Sequence, residues 1–408
     1  MRILVVCHRF PYPPQRGGKI RPFNVIRHLH NSGHEVVVAS LARSDQEALE
    51  GRGLAPHCTS YRMETIRPAA AVANMVARLP TREPSSMGFF FSPRLARAIH
   101  ETLASQRFDL IFTHCSSVAP YVASVRGIPK ILDFGDMDSQ KWLAYSRFKP
   151  FPLSLGYRLE GSKLERAELE LARQFDYCTC TTRAELETLE SYGSGARTGW
   201  FPNGVDSERF QPDGGGYDPQ TICFVGRMDY YPNQQAMFDF CRDVLPLLRE
   251  RRPELRLTIV GADPSPAVRR LGRVPGVTVT GSVPQVGPHV QRAALSVVPL
   301  SIARGTQNKI LESLAMGVPV VSSELAAGGV DAVPGEHLLT VREPRDYRDA
   351  ILRLVDAPVE RARFAAAGRA RMLSHHAWAR SMQVLDTIIE DCVTEGRRAA
   401  PAAGRSAG

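Results

Sequence analysis

The sequence predicts an α/β fold of two Rossmann-like domains, each a doubly wound parallel sheet that presents its carboxyl edge to a cleft. Three observations predict it. Short, almost continuously apolar runs such as Ile3-Leu4-Val5-Val6-Cys7, Ile222-Cys223-Phe224-Val225 and Leu295-Ser296-Val297-Val298 read as strands covered on both faces. Between such runs lie stretches with apolar residues at helical spacing. Finally, 408 residues are too many for one ordinary core but suit two of nearly equal size, and 43% apolar with 23% charged residues is a globular composition.

The elements follow in order. The first residues look like a secretory leader, but the apolar stretch is too short and His8-Arg9 follow at once, so they read as a first strand. A Pro/Gly-rich loop leads to a helix over residues 20–31, with Pro22 tolerated in its first turn and Gly33 placed to end it. Residues 35–40 give the next strand and complete a βαβ unit. Residues 108–113, 129–133 and 176–181 read as further strands, and residues 159–175 as a helix. The linker at residues 200–206, with Pro202-Asn203-Gly204 as a turn signal, separates a domain of residues 1–199 from one of residues 200–376. In the second, strands are expected at residues 222–225, 255–260, 277–279, 295–298 and 318–322. A helix over residues 308–316 is stopped by Gly317. A last helix, residues 377–393, is expected to cross back onto the first domain, and residues 394–408 read as a disordered Ala/Gly/Arg tail. No run of about 18 or more apolar residues occurs, so no membrane span is predicted.

The net charge of +9 favours an anionic partner. No helix-turn-helix, zinc-finger or RNP-type motif accompanies it, so no nucleic acid is expected and phosphorylated ligands or an acidic membrane surface rank higher. The eight cysteines sit mostly in apolar runs and read as buried thiols of a reducing cytoplasm; Cys178-Thr179-Cys180 has the wrong spacing for a zinc knuckle or redox pair. Residues 69–91 combine Arg78 and Arg82 with Met75, Val76, Leu79 and the exposed-looking run Phe89-Phe90-Phe91. Contact with an anionic interface and packing on its own domain both remain open for this segment.

Two places carry candidate chemistry. Gly17-Gly18 lies in the first strand-to-helix loop, where glycines allow close backbone approach and a helix N-terminus favours an anion; a simple tight turn is the other reading. GxGxxG and P-loop patterns are absent. The stretch from Arg304-Gly305-Thr306-Gln307-Asn308 through Lys309 and Glu312 to Gly317-Val318-Pro319 feeds a loop into a helix that can receive a diphosphate. Lys309 and Glu312 fall on one face, a cation for phosphate beside a carboxylate for ribose hydroxyls; a surface ion pair is the bland alternative.

Together, Gly17-Gly18, Asn203-Gly204-Val205-Asp206, Phe224-Val225-Gly226-Arg227 and the stretch beginning Lys309-Ile310-Leu311-Glu312 resemble the family 4 retaining glycosyltransferases of the GT-B fold. Residues 133–142 and 228–233 are most similar to the sugar transferases encoded with exopolysaccharide and exosortase (PEP-CTERM) systems. The resemblance implies a hexosyltransferase-type, metal-independent enzyme with no cofactor. It would move a sugar from a UDP- or GDP-linked donor to a glycan or polyprenyl-linked acceptor with retention. The setting implied is exopolysaccharide or cell-surface polysaccharide synthesis, in the cytoplasm, at the inner face of the membrane. Residues 1–199 would be the acceptor side and residues 200–376 the donor side. By resemblance His114, Arg227 and Lys309 are catalytic, His114 touching the donor sugar. Gly17, Gly18, Arg304, Gly305, Thr306, Asn308 and Glu312 bind the donor, and Glu312 holds the ribose.

Two departures from the family pattern stand out: Arg304 occupies the place of a glutamate eight residues before Glu312, and Asn233 stands near an expected lysine. Asp136-Met137-Asp138 looks like the metal-binding DxD of another architecture; it reads instead as acceptor-side lining or as a helix cap, with no metal. His375-His376 reads as structural. A nucleotide-sugar epimerase of the same fold and a non-catalytic nucleotide-sugar-binding subunit are the alternatives.

Overall fold

The structure, a computed structural model, describes residues 1–399, with side chains through Glu395. The chain divides into two compact units. One is Met1–Pro202 with the residues from Met382 onward; the other is Asn203–Ser381.

The first unit is built on a seven-stranded sheet, all of whose pairings are parallel. Its strands are β1 (Arg2–Cys7), β2 (Glu35–Ala42), β3 (Ser60–Thr65), β4 (Leu110–His114), β5 (Lys130–Gly135), β6 (Tyr177–Cys180) and β7 (Arg197–Trp200), in the order β3-β2-β1-β4-β5-β6-β7. The central strands β1, β4 and β5 are buried almost throughout, which is why their sequences are apolar without alternation. The second unit has a six-stranded parallel sheet: β8 (Asp218–Val225), β9 (Arg256–Val260), β10 (Val277–Gly281), β11 (Ala293–Val298), β12 (Val320–Ser323) and β13 (Leu339–Val341), ordered β10-β9-β8-β11-β12-β13. Both units are thus the doubly wound α/β type the apolar runs predict. In each, strand order reverses once beside the first strand, at β1/β4 and at β8/β11. Connections leave such a switch point in opposite directions, opening a crevice at the carboxyl ends.

The helices of the two units include α1 (Gly17–Asn31), α2 (Pro68–Arg78), α3 (Asp138–Ser146), α4 (Leu153–Ala172), α5 (Asn308–Ala315) and α6 (Trp378–Ala399). Several differ from expectation. α1 begins at Gly17 rather than residue 20, so Pro22 lies inside it and the glycine pair forms its first turn. α4 starts six residues early, at Leu153, with four exposed leucines or phenylalanines near its start that no apolar face predicted. α6 continues through Ala399, so residues 394–399 are helical rather than tail; residues 400–408 lie outside the described residues. β3, β7 and β13 have no counterpart in the sequence reading; all three are edge strands, half-covered and short of apolar runs. The eight cysteines are buried free thiols. Phe89 and Phe90 pack against the first core, and of that aromatic run only Phe91 is exposed.

Candidate functional site

In the second unit the switch point collects the predicted donor residues. β8 ends at Val225 and hands on to Gly226-Arg227; the loop after β11 climbs to α5, which carries Lys309 and Glu312. Lys309 Nζ donates to Asn233 Oδ1 at 2.6 Å, and Asn233 Nδ2 donates to the Arg227 carbonyl at 2.8 Å. Lys309 Nζ also lies 4.6 Å from the Phe224 ring centroid. A Cβ on Gly226 would stand 3.1 Å from that ammonium, so a glycine is what lets the strand end and the lysine approach. Asn233, 5% exposed, therefore takes the lysine's charge by hydrogen bond rather than replacing it.

Neither Lys309 nor Glu312 projects into open solvent; both are half-buried and no ion pair joins them. Burial pulls Lys309 down to about 7, with Glu312 opposing, and pushes Glu312 up to about 7 against Arg209 and Lys309. The surface ion pair of the bland reading is not what forms. α5 starts at Asn308 after Gln307, whose side chain does not cap it, and no acidic residue lies in its first turn. Ile310 N–H turns back to the Gln307 carbonyl at 2.9 Å, and the Asn308 and Lys309 amides before it have no side-chain cap. Thr306 Oγ1 and Asn308 Oδ1 are buried there without hydrogen-bond partners. Gly305 adopts φ +60°, and its carbonyl would stand 1.9 Å from a Cβ on Gly329, which holds the loop tightly against its neighbour. The Arg304 carbonyl accepts from Gln307 Nε2 at 3.0 Å. Arg227, by contrast, is already engaged: it pairs with Asp229 at 2.6 Å and Asp263 at 2.5 Å, and these carboxylates, Asp229 first, raise it above the ordinary arginine value.

In the first unit, β1 and β4 flank the other switch point. His114 is the last residue of β4, not a loop residue beyond it. Its Nδ1 lies 2.8 Å from Asp133 Oδ2. Asp133 is fully buried and also takes two bonds from Arg21, at 2.8 and 2.9 Å, and one from Thr179 at 2.9 Å. Arg21 in turn donates to the Phe201 carbonyl and lies 3.5 Å from the Phe201 ring centroid. Burial alone would raise Asp133, but Arg21 and His114 outweigh it and hold the carboxyl well below the usual range. A charged Asp133 takes a hydrogen bond from the His114 Nδ1–H and fixes the aim of the ring. His8, one residue past β1, sits 5.6 Å from His114 ring to ring, and its Nε2 would be 3.6 Å from a Cβ on Gly18. Burial first, then His114, Arg9, Arg43 and Lys141 keep His8 neutral.

Asp136 accepts from Thr181 Oγ1 at 2.7 Å; Asp138 opens α3 with Cys115 Sγ 3.7 Å away. Neither caps α3, contrary to the helix-cap reading. Met137 stands at the cap position, and the amides there go to Glu185, at 2.8 Å from Met137, and Glu168, at 3.0 Å from Ser139. His376 is structural: it bridges the Asn203 carbonyl and the Asp331 amide.

The structure thus gathers Arg227, Lys309 and Glu312 with the loop 304–308 at one switch point, and Gly17, Gly18 and His114 at the other. Sequence reasoning missed Arg21, Asp133 and Thr179 as supports of His114, and Arg209 beside Glu312. Asp133 carried a signal, an acid inside the run Ile131-Leu132-Asp133-Phe134. Arg21 and Arg209 carried none.

Two family models match the chain in succession: residues 16–209 match Glycosyltransferase Family 4, and residues 219–357 match Glycosyl transferases group 1. The phosphatidyl-myo-inositol mannosyltransferase of Mycobacterium leprae is 28% identical over 76% of this chain and 80% of its own. Among solved structures, sucrose-phosphate synthase from Thermosynechococcus elongatus superposes with a TM-score of 0.70 at 16% identity, over 97% of this chain and all of that one. Anabaena HepE in complex with UDP gives 0.67 at 15%, over 96% of this chain and all of that one. At such identities these two show the shared fold.

Proposed function

We propose, for a chain that belongs to the GT-B glycosyltransferases, that it transfers a sugar from a nucleotide-diphosphate donor to a glycan or polyprenyl-linked acceptor with retention of configuration. Exopolysaccharide or cell-surface polysaccharide synthesis at the inner face of the membrane is the setting this reading favours. The observation that carries it is the second unit's switch point, where Lys309, whose ammonium meets the neutral Asn233 amide oxygen rather than a carboxylate, comes together with the start of α5, which no side chain caps, and the Gly226-Arg227 turn. A diphosphate completes that arrangement, and Glu312, one turn along, is placed for the ribose hydroxyls.

Transfer breaks the bond between the anomeric carbon and the β-phosphate oxygen and forms one from the same face to an acceptor hydroxyl oxygen. The hydroxyl proton passes to the departing phosphate. The negative charge that develops there is what Lys309, Arg227 and the α5 amides stabilise. The cations of this site supply that stabilisation in the proposed mechanism without a metal ion. His114, aimed by its Nδ1 bond to Asp133, would form a hydrogen bond with a sugar hydroxyl through Nε2. The engagement of the first unit's carboxylates supports transfer over epimerisation, which needs acid–base partners: Asp133 is tied to Arg21, His114 and Thr179, and Asp136 to Thr181. The mannosyltransferase relative acts on a phosphatidyl-inositol, which supports a lipid-linked acceptor here. HepE was solved with UDP, which makes UDP-sugars the first donors to try.

The test is a panel of UDP- and GDP-sugars assayed for nucleotide release with and without polyprenyl-phosphate and glycan acceptors. Acceptor-dependent release is the expected outcome. An altered sugar without acceptor would make the protein an epimerase; binding without turnover on any acceptor would make it a binding subunit.

A further inference from the structure

One face of the first unit breaks the usual rule that a surface helix turns its charges outward. α2 carries no charged residue before Arg78, and Val72 and Val76 stand 54% and 57% exposed on it, followed by Leu79 at 62%. Their i, i+4, i+7 spacing puts them on one side. On α4 and the turn before it, Phe151 is 81% exposed, Leu155 50% and Leu159 55%. Leu155, Leu159 and Lys163 follow one another at four-residue spacing, and Lys163 Nζ donates to the carbonyls of Arg78 at 3.1 Å and Leu79 at 2.9 Å. The α4 stripe therefore runs up against the end of the α2 stripe. Glu160, buried beneath, caps the next short helix through the amides of Ser85 and Ser86, so the two helices are fixed together. The result is a continuous apolar surface across two helices, larger than isolated exposed residues account for.

Its charge decides what covers it. Residues 66–82 and 139–159 contain no Asp or Glu, yet hold Arg67, Arg78, Arg82, Lys141, Arg147, Lys149 and Arg158. The first acid beyond, Glu83, is spent on Arg78 at 2.9 Å. A second copy docked on the same face would bring two cationic rims together. An anionic bilayer accepts both parts, the apolar side chains among the acyl chains and the arginines at the phosphates. No helix among the described residues is long and apolar enough to cross a membrane, so this is a surface contact.

We propose that the α2 face and the start of α4, led by Phe151, Leu155 and Leu159, insert into the surface of an anionic phospholipid membrane. This deepens the lipid-linked reading above by naming the contact, while vesicle binding itself requires no sugar transfer. The experiment is co-sedimentation of the full chain with phosphatidylglycerol-containing vesicles and with phosphatidylcholine vesicles. Expected is binding at least roughly tenfold stronger to the anionic vesicles, weakened by salt. Phe151→Ser with Leu155→Ser should reduce it roughly tenfold, as should Arg147→Gln with Arg158→Gln. UDP affinity and Tm should stay unchanged in both variants, because all four side chains are exposed. Equal binding to both vesicle types, no binding, or variants that bind like the parent would overturn the proposal. So would a concentration-dependent dimer abolished by the Phe151 and Leu155 changes, which would give the face to a second copy. Vesicle binding without acceptor-dependent turnover would sink the transferase reading alone; turnover without vesicle binding would sink only this one.

Discussion

Each unit holds a carboxylate out of open solvent beside a cation, fully buried for Asp133 and half-buried for Glu312, and the two behave oppositely. Asp133 is held below the usual range because Arg21 forks onto both its oxygens and His114 and Thr179 add two more bonds. Glu312 is pushed up to about 7 because burial removes water while Arg209 and Lys309 stand near without pairing to it. The fold has completed the first charge and left the second incomplete. A completed pair holds structure in place, here the aim of His114. An incomplete one keeps its binding energy for a ligand that is not part of the chain.

If that contrast is right, substitutions should separate stability from binding. Asp133→Asn strands a buried arginine and should cost about 3–5 kcal/mol in denaturant unfolding. Because this pair lowers a carboxyl below its unfolded value, its contribution is present above the unfolded pKa and lost as pH falls through the folded one. The parent should therefore lose stability in acid more steeply than the variant. A cost under about 1 kcal/mol would mean that Arg21 finds other partners and the contrast is false. Lys309→Met should do the reverse: leave unfolding unchanged or improved, and weaken UDP binding by roughly 30- to 100-fold in calorimetry, the range of a charge-assisted bond.

A third test uses acidity. With Lys309 near 7 in the free protein, raising pH from about 7 to 9 discharges it, and UDP affinity should fall across that window beyond any change in the nucleotide. Lys309→Met should abolish the slope and Lys309→Arg should flatten it at high affinity; an identical slope in all three would assign it elsewhere. The smallest effect belongs to Arg227→Gln. Asp229 and Asp263 already occupy this arginine, so a diphosphate must compete for it, and the loss in UDP affinity should stay below roughly tenfold. A larger loss would mean that the three-residue pair opens on binding.

Much of this was legible beforehand, for identifiable reasons. Strands buried on both faces announce themselves as apolar runs, so β1, β4, β5, β8 and β11 could be located, though not the order in which they pair. Lys309 and Glu312 were legible because helical spacing alone places them on one face. Edge strands were not, since half-covered segments such as Ser60–Thr65 carry no apolar run. The start of α1 was missed because glycines and a proline argue against helix, whereas packing on the sheet imposes it. Arg21 and Asp133 lie 112 positions apart, and only the β5 register and the α1 docking bring them together. The length of α4 was underestimated because its first turns face outward with apolar side chains, the reverse of the pattern used to find helices.

Burial brings both Lys309 and Glu312 to about 7, and proton counting tests most directly whether a nucleotide meets them. Calorimetry of UDP binding near pH 7.5 in buffers of different ionisation enthalpy gives the protons exchanged per ligand bound. Lys309 should gain a proton from the buffer when the diphosphate arrives, and Glu312 should release one to the buffer as the ribose hydroxyls donate to its carboxylate. Lys309→Met should therefore shift the count toward release, and Glu312→Gln should shift it toward uptake. If neither substitution moves the count, or both move it the same way, these two residues are not the nucleotide's partners.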